Sequence, residues 1–238
     1  MSTSEILHAE IERKAGVTDR AASLYPDARK TYAGSIIDEQ ICRLVRQLFF
    51  SSASRPPKQI VFSAVEEGTD VGGICMQTAE ALSLMVPASV ATVDASSFSR
   101  HAKNIELEED RLGLPGKATA FRETSNQLSM NLWSVPGPAF WASDAFVGSP
   151  GWVQRRLGEL RLDFDYTILH APPAGMYSGS VLLGQASDGM VLVLEANITR
   201  RAAALKTKEI LRNGNVKLLG TVLSGRTFPI PESIYQRI

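Results

Sequence analysis

The sequence predicts an α/β protein with a mainly parallel sheet covered by helices on both faces. Two observations carry this. From Gln59 onward, short β-branched runs alternate with helical stretches, a pattern that requires crossover connections between parallel strands. The chain has 238 residues, 44% hydrophobic and 21% charged, which suits one large domain plus an extension and excludes a disordered or fibrous chain. Its 25 basic and 25 acidic side chains balance, so bulk charge gives no reason to expect nucleic acid or an anionic membrane as partner, although a local patch can still bind either. No apolar run approaches the roughly 18 residues of a membrane helix. Residues 1–16 mix Glu5, Glu10, Glu12, Arg13 and Lys14 with apolar residues, unlike a secretion signal. A soluble, cytoplasmic protein is the expectation.

Residues 1–58 read as a helical extension and linker, and residues 59–238 as the α/β domain. Ser2 with Glu5 forms a capping-box pattern before a helix that Gly16 ends, and Ser35 opens a second helix through about Phe50. In that second helix Ile36, Ile37, Ile41, Leu44, Val45 and Leu48 follow helical spacing. Gln40, Arg43, Arg46 and Gln47 populate the other side, so the apolar face must dock on something. The stretch Ser51–Lys58, with its Arg-Pro-Pro-Lys, marks the boundary.

Strands are expected at Gln59–Ala64, Ser89–Val93, Asn131–Val135, Tyr166–His170, Met190–Leu194 and Leu218–Leu223. Helices fall between them, at about Gly73–Met85, Trp152–Leu160, Gly179–Ala186 and Thr199–Asn213. Thr199 is the expected N-cap of the last helix and Asn213-Gly214 its stop. Residues 95–130 show a turn at Leu112–Gly116 and little periodicity. Cys42 and Cys75 sit among apolar neighbours and read as buried free thiols. With His8, His101 and His170 the only histidines, no zinc-ligand spacing exists and no metal site is expected.

Ligands of an open parallel sheet bind beyond the carboxyl ends of its strands. After the first strand comes Val65-Glu66-Glu67-Gly68-Thr69-Asp70-Val71-Gly72-Gly73 and then a helix, the topology of a phosphate-binding loop. A working loop needs glycines for the turn, a Lys for the terminal phosphates and a hydroxyl for magnesium. This one keeps Gly68, Gly72 and Gly73 and has no Lys between Lys58 and Lys103. Glu66, Glu67 and Asp70 instead add negative charges, each repelling a phosphate charge about 5 Å away by roughly 1 kcal/mol in water. A helix N-terminus offers an anion only about 0.3–1 kcal/mol. Repulsion wins. The plain reading of the three acids is a solvated turn, with a calcium site the sharper alternative.

The other strand ends repeat the pattern. Val90–Asp94 ends in a carboxylate but is followed at the second position by Ser96, and Tyr166–Leu169 leads to His170 where a magnesium-water network wants an acid. His170 reads as a structural, hydrogen-bonded residue, with catalysis or sensing as the alternative. Arg200, Arg201, Lys206 and Lys208 read as a solvated helix face or a partner patch. Trp133, Trp141 and Trp152 read as core, with an exposed Trp141 surface as the alternative.

Residues 36–224 resemble the cytoplasmic ATPases of bacterial capsular and exopolysaccharide biosynthesis, a family that includes bacterial tyrosine kinases and belongs to the MinD/ParA-like, deviant-Walker branch of P-loop proteins. The likeness rests on Phe164–Pro173, similar to that family's Tyr-Asp-hydrophobic-Asp-Thr-Pro-Pro run, and on Ser187–Leu194 with Thr199-Arg200-Arg201, similar to its Ala-Asp-Gly strand and Thr-Arg-Arg helix start. Asn131–Pro136 resembles its central strand and Leu218–Leu223 its last core strand. The resemblance implies a three-layer P-loop NTPase-like fold. It also places Gln40, Arg43 and Arg46 at the positions of a subunit-contact motif.

The departures concern charge. The family's phosphate-binding Lys falls on Asp70 or Val71, its Asp-x-Asp becomes Asp94-Ala95-Ser96, its Walker B-like Asp becomes His170, and the Asn after its last strand becomes Ser224. Its tyrosine-rich tail has no counterpart beyond Tyr235. The groups that handle charge in phosphoryl transfer are gone, so the expectation is a pseudo-ATPase with no catalytic residue and no cofactor. By resemblance it serves as a scaffold or regulator in polysaccharide assembly or export. Its implied partners are a membrane-embedded co-polymerase or chain-length regulator, a second copy, or an active paralogue, which would put it peripherally at the inner membrane. The alternatives are an active ATPase or tyrosine kinase using ATP and Mg, with a Lys supplied by Lys58, Lys103 or a neighbouring subunit, and a ParA/MinD-like adaptor.

Overall fold

The computed structural model describes residues 39–50, 56–96, 120–141 and 150–225. The expected helix over residues 2–16, the turn at Leu112–Gly116 and the tail beyond residue 225 lie outside the described residues, as does most of the linker. The strands are β1 (Gln59–Ala64), β2 (Val90–Asp94), β3 (Asn126–Ser129), β4 (Leu132–Val135), β5 (Tyr166–His170), β6 (Gly189–Glu195) and β7 (Leu218–Ser224). The helices are α1 (Glu39–Phe49), α2 (Val71–Met85), α3 (Phe121–Thr124), α4 (Gly137–Phe140), α5 (Pro150–Asp163), α6 (Ser178–Ala186) and α7 (Arg201–Asn213).

The strands form one sheet in the order β3-β4-β2-β5-β1-β6-β7. All neighbours run parallel except β3, which pairs antiparallel with β4 and carries an irregularity between Gln127 and Ser129. The chain crosses from β1 through α2 to β2 in one direction, and from β4 to β5, β5 to β6 and β6 to β7 in the other. Right-handed crossovers therefore place α2 on one face and α5, α6 and α7 on the other. Strand β1 is buried at all six positions, as a parallel strand covered on both faces must be. Val61, Val93, Leu169, Met190 and Leu192 join Trp152, Val153, Leu157, Leu160, Leu183 and Leu211 in one core cluster. The alternate residues Ile60, Phe62 and Ile168 are fully buried toward the α2 side.

The apolar face of α1 docks, as its spacing requires. Val45, Leu48 and Phe49 are buried, and the Phe49 ring meets Tyr166 edge-on at 5.7 Å. Gln40, Arg43 and Arg46 lie along its exposed side. At the amino ends of the strands, one oxygen of Asp188 accepts from the Lys58 and Gln59 amides, both at 2.8 Å. Its other oxygen takes a 2.9 Å hydrogen bond from Arg161. Burial raises the Asp188 pKa, but these donors outweigh it and hold the carboxyl below its usual range. Buried Gln59 is satisfied by Leu157 and Arg161.

Several boundaries differ from expectation. Thr199 does not cap α7. Arg200 is its N-cap, while the Thr199 hydroxyl accepts from the Glu195 amide at 2.9 Å and closes the turn after β6; a Ser/Thr side chain bonds its local backbone in turns as readily as at helix starts. Gly214 ends the helix as expected. The edge strand β3 and the short helices α3 and α4 were not expected, because four-residue elements are too short for periodicity to declare. Cys75 is buried and free as expected, whereas Cys42 is only half-buried.

Candidate functional site

Strand β1 ends at Ala64 and the chain turns outward through exposed Glu66, Glu67 and Gly68. Gly68 has φ +97°, a left-handed conformation that costs glycine nothing. The chain then enters α2 through Asp70, whose Oδ1 accepts from the Gly73 amide at 2.8 Å. A Cβ on Gly73 would collide with Asp70 Oδ2, so the glycine lets the carboxylate close over the helix start. The anion that satisfies the α2 N-terminus is thus supplied by the chain itself. An incoming phosphate would have to displace a cap worth about 0.5–2 kcal/mol and meet the displaced charge.

The loop is held at both ends. Tyr177 Oη donates to Glu67 at 2.8 Å, and Thr69 Oγ1 donates to Glu195, at the end of β6, at 3.2 Å. Beneath it, the Ala174 amide donates to Ala64 at 2.8 Å, Ser63 Oγ donates to the Pro172 carbonyl at 2.6 Å, and Gly175 abuts the Val65 carbonyl so closely that a Cβ would overlap it. Sequence reasoning missed Thr69, Tyr177 and Glu195. The strand-end rule, extended to the end of β6, is the signal that could have found Glu195, but nothing local pairs it with Thr69.

Asp94 and His170 are register partners on β2 and β5, with Nδ1 3.8 Å from Oδ1, beyond hydrogen-bond reach. Ser96 donates to Asp94 through its amide at 3.0 Å and its hydroxyl at 2.6 Å. Burial lowers the His170 pKa, and the charges of Asp94 and Asp70 only partly oppose it, so the imidazole is neutral at neutral pH. Its other neighbour is the loop: a Cβ on Gly72 would lie 3.5 Å from His170 Nδ1. Burial, with Asp70 and Asp94 adding to it, raises the Cys75 thiol well above its usual range, so this thiol stays protonated and inert.

The fold therefore gathers Gly68, Asp70, Val71, Gly72, Gly73, Asp94, Ser96 and His170 at the carboxyl ends of β1, β2 and β5. Ser224 stands apart. It ends β7, two strands from β1, where its carbonyl accepts from Ala196 at 2.9 Å. Beside it an open cavity of about 500 Å³ is lined by Glu195, Asn197, Thr199, Arg201 and Leu223 among others. Gln40, Arg43 and Arg46 belong to α1 and not to this cluster.

These residues supply no cation to a magnesium-bound nucleoside triphosphate. The gathered cluster contains two carboxylates and a neutral imidazole and no Lys or Arg, and hard Mg²⁺ takes oxygen rather than imidazole. Among the described residues no group of three or more His, Cys, Asp and Glu is placed to hold a metal ion. Trp141 and Trp152 stack at 5.2 Å with 8° between their planes, both buried; they are core and not a surface.

No family model matches the chain. In sequence it is similar to the tyrosine-protein kinase YwqD of Bacillus subtilis (strain 168), 32% identical over 105 residues that make up 44% of this chain and 43% of that protein. The likeness thus spans less than half of the relative's length. In fold it is similar to the kinase domain of the Escherichia coli tyrosine kinase ETK, with a TM-score of 0.60, 13% identity and coverage of 83% of this chain and 80% of that one. A chain of the MinC:MinD cell division protein complex of Aquifex aeolicus also matches, with a TM-score of 0.52, 15% identity and coverage of 76% and 72%. The sheet and its helices are the three-layer P-loop NTPase-like fold expected from sequence.

Proposed function

For a chain that resembles bacterial tyrosine-protein kinases in sequence and in fold, we propose a role without phosphoryl transfer: a pseudo-ATPase that acts as a scaffold or regulator in capsule or exopolysaccharide assembly. One observation carries this reading. The Asp70 carboxylate caps α2 from within, at the helix start where this fold would receive a phosphate. Lysine is absent from the loop, and His170 and Ser96 replace the acid and Asp that the resemblance leads one to expect. The α1 face bearing Gln40, Arg43 and Arg46 is exposed and is proposed as the contact with a second copy or an active paralogue. A membrane-embedded co-polymerase is the proposed larger partner.

Calorimetric titration of the full chain with ATP and Mg tests the proposal, alongside a phosphate-release assay. The expected result is no saturable binding up to millimolar nucleotide and no turnover. Micromolar binding with hydrolysis, or transfer of phosphate to tyrosine, overturns it.

A further inference from the structure

In this chain of balanced charge, the cations are not evenly spread. Residues 200–213 hold Arg200, Arg201, Lys206, Lys208 and Arg212 against the single acid Glu209. All six are exposed, and no ion pair joins any of them to another described residue. Arg201, Leu205, Lys208 and Arg212 recur at i, i+4, i+7 and i+11, which at 3.6 residues per turn puts them within about 60° of one another on α7. Thr207 and Leu211 bury the side of the helix centred about 110° from this stripe, and Glu209 lies on the exposed side about 70° from the centre of the stripe. Leu205, within the stripe, is 51% exposed, and Ile198, in the turn before the helix, is 61% exposed.

We infer that the exposed stripe of α7 is a docking surface for an anionic phospholipid bilayer, held by Arg201, Lys208 and Arg212 with Leu205 entering the headgroup layer. Charge complementarity selects an anionic partner. A helical protein partner would need a continuous apolar seam at i, i+3, i+4 and i+7, whereas here the seam is interrupted by three cations. A nucleic-acid backbone would leave Leu205 solvated, while a bilayer interface takes both charged and apolar side chains at once. The inference does not depend on whether the α2 loop binds nucleotide.

Co-sedimentation of the full chain with vesicles tests it, comparing neutral phosphatidylcholine with a 70:30 mixture of phosphatidylcholine and phosphatidylglycerol, at low and high salt. The expected result is binding to the anionic vesicles alone, weakened by salt. The triple variant Arg201→Ser, Lys208→Ser, Arg212→Ser should lose about a hundredfold in partition, roughly fivefold per cation, with unchanged circular dichroism. Equal partition onto neutral vesicles, salt-independent binding, undiminished binding of the triple variant, or tighter binding to a DNA duplex than to anionic vesicles each overturns the proposal.

Discussion

His170 faces Asp94 across the β2–β5 ladder with 3.8 Å between Nδ1 and Oδ1, yet burial keeps the imidazole neutral. The carboxylate is engaged instead by Ser96. The sign of the pH dependence follows. The folded pKa lies below the unfolded value of about 6.5, so the unfolded chain binds more protons in the window below 6.5. Stability from this group is present above that pH and is lost as pH falls toward the folded value. Urea midpoints of the wild type should therefore decline below about pH 6.5, and His170→Gln should flatten that part of the profile.

Asp70→Ala removes the α2 cap and should cost about 1 kcal/mol in chemical denaturation. Asp70→Asn keeps an acceptor for the Gly73 amide and should stay within about 0.5 kcal/mol of wild type. Neither Asp70→Lys nor Val71→Lys should give ATP hydrolysis in a phosphate-release assay, because the strand ends supply no acid pair to order magnesium and water.

Asp188 joins the entry of β1, the start of β6 and the end of α5 through Lys58, Gln59 and Arg161. Asp188→Ala leaves two backbone amides and a guanidinium without their acceptor and should destabilise by about 1–3 kcal/mol. A double-mutant cycle with Arg161→Ala should return a coupling of about 0.5–1 kcal/mol, since this ion pair is partly solvated.

Arg43→Ala with Arg46→Ala tests the proposed subunit face. Both side chains are exposed on α1, so thermal stability should change by less than about 0.5 kcal/mol. Sedimentation velocity should show weaker self-association, or pull-down should show weaker pairing with an active relative.

Trp152 packs against Trp141 and Phe140, with centroids 5.2 and 6.0 Å away. Trp152→Ala should cost about 3–5 kcal/mol in urea unfolding and loosen the link between α4 and α5.

The sheet was readable because its inner strands β1, β2 and β6 are largely buried and written as continuous apolar, β-branched runs. Gln59–Ala64 and Tyr166–His170 have the bounds expected from sequence, and the helices between strands differ by at most three residues at either end. The emptiness of the loop in cations was equally legible, since charge is a property of composition. Legibility failed where a side chain chooses between partners of similar energy. Asp70 read as one of three solvated acids and proves to be a helix cap, and Thr199 read as a cap and proves to close a turn. Contacts between distant segments, such as Thr69 with Glu195, exist only once β1 and β6 are neighbours, and no local pattern announces them.

The four residues of β3 run against the grain of the sheet and lose register between Gln127 and Ser129, with three of the four exposed. A further copy approaching that border would meet a short ribbon whose outer amides and carbonyls, broken in register between Gln127 and Ser129, do not line up for a new ladder. Lateral growth of the sheet is thereby discouraged on the β4 side, and on that flank stacking of one molecule on another is left to side chains.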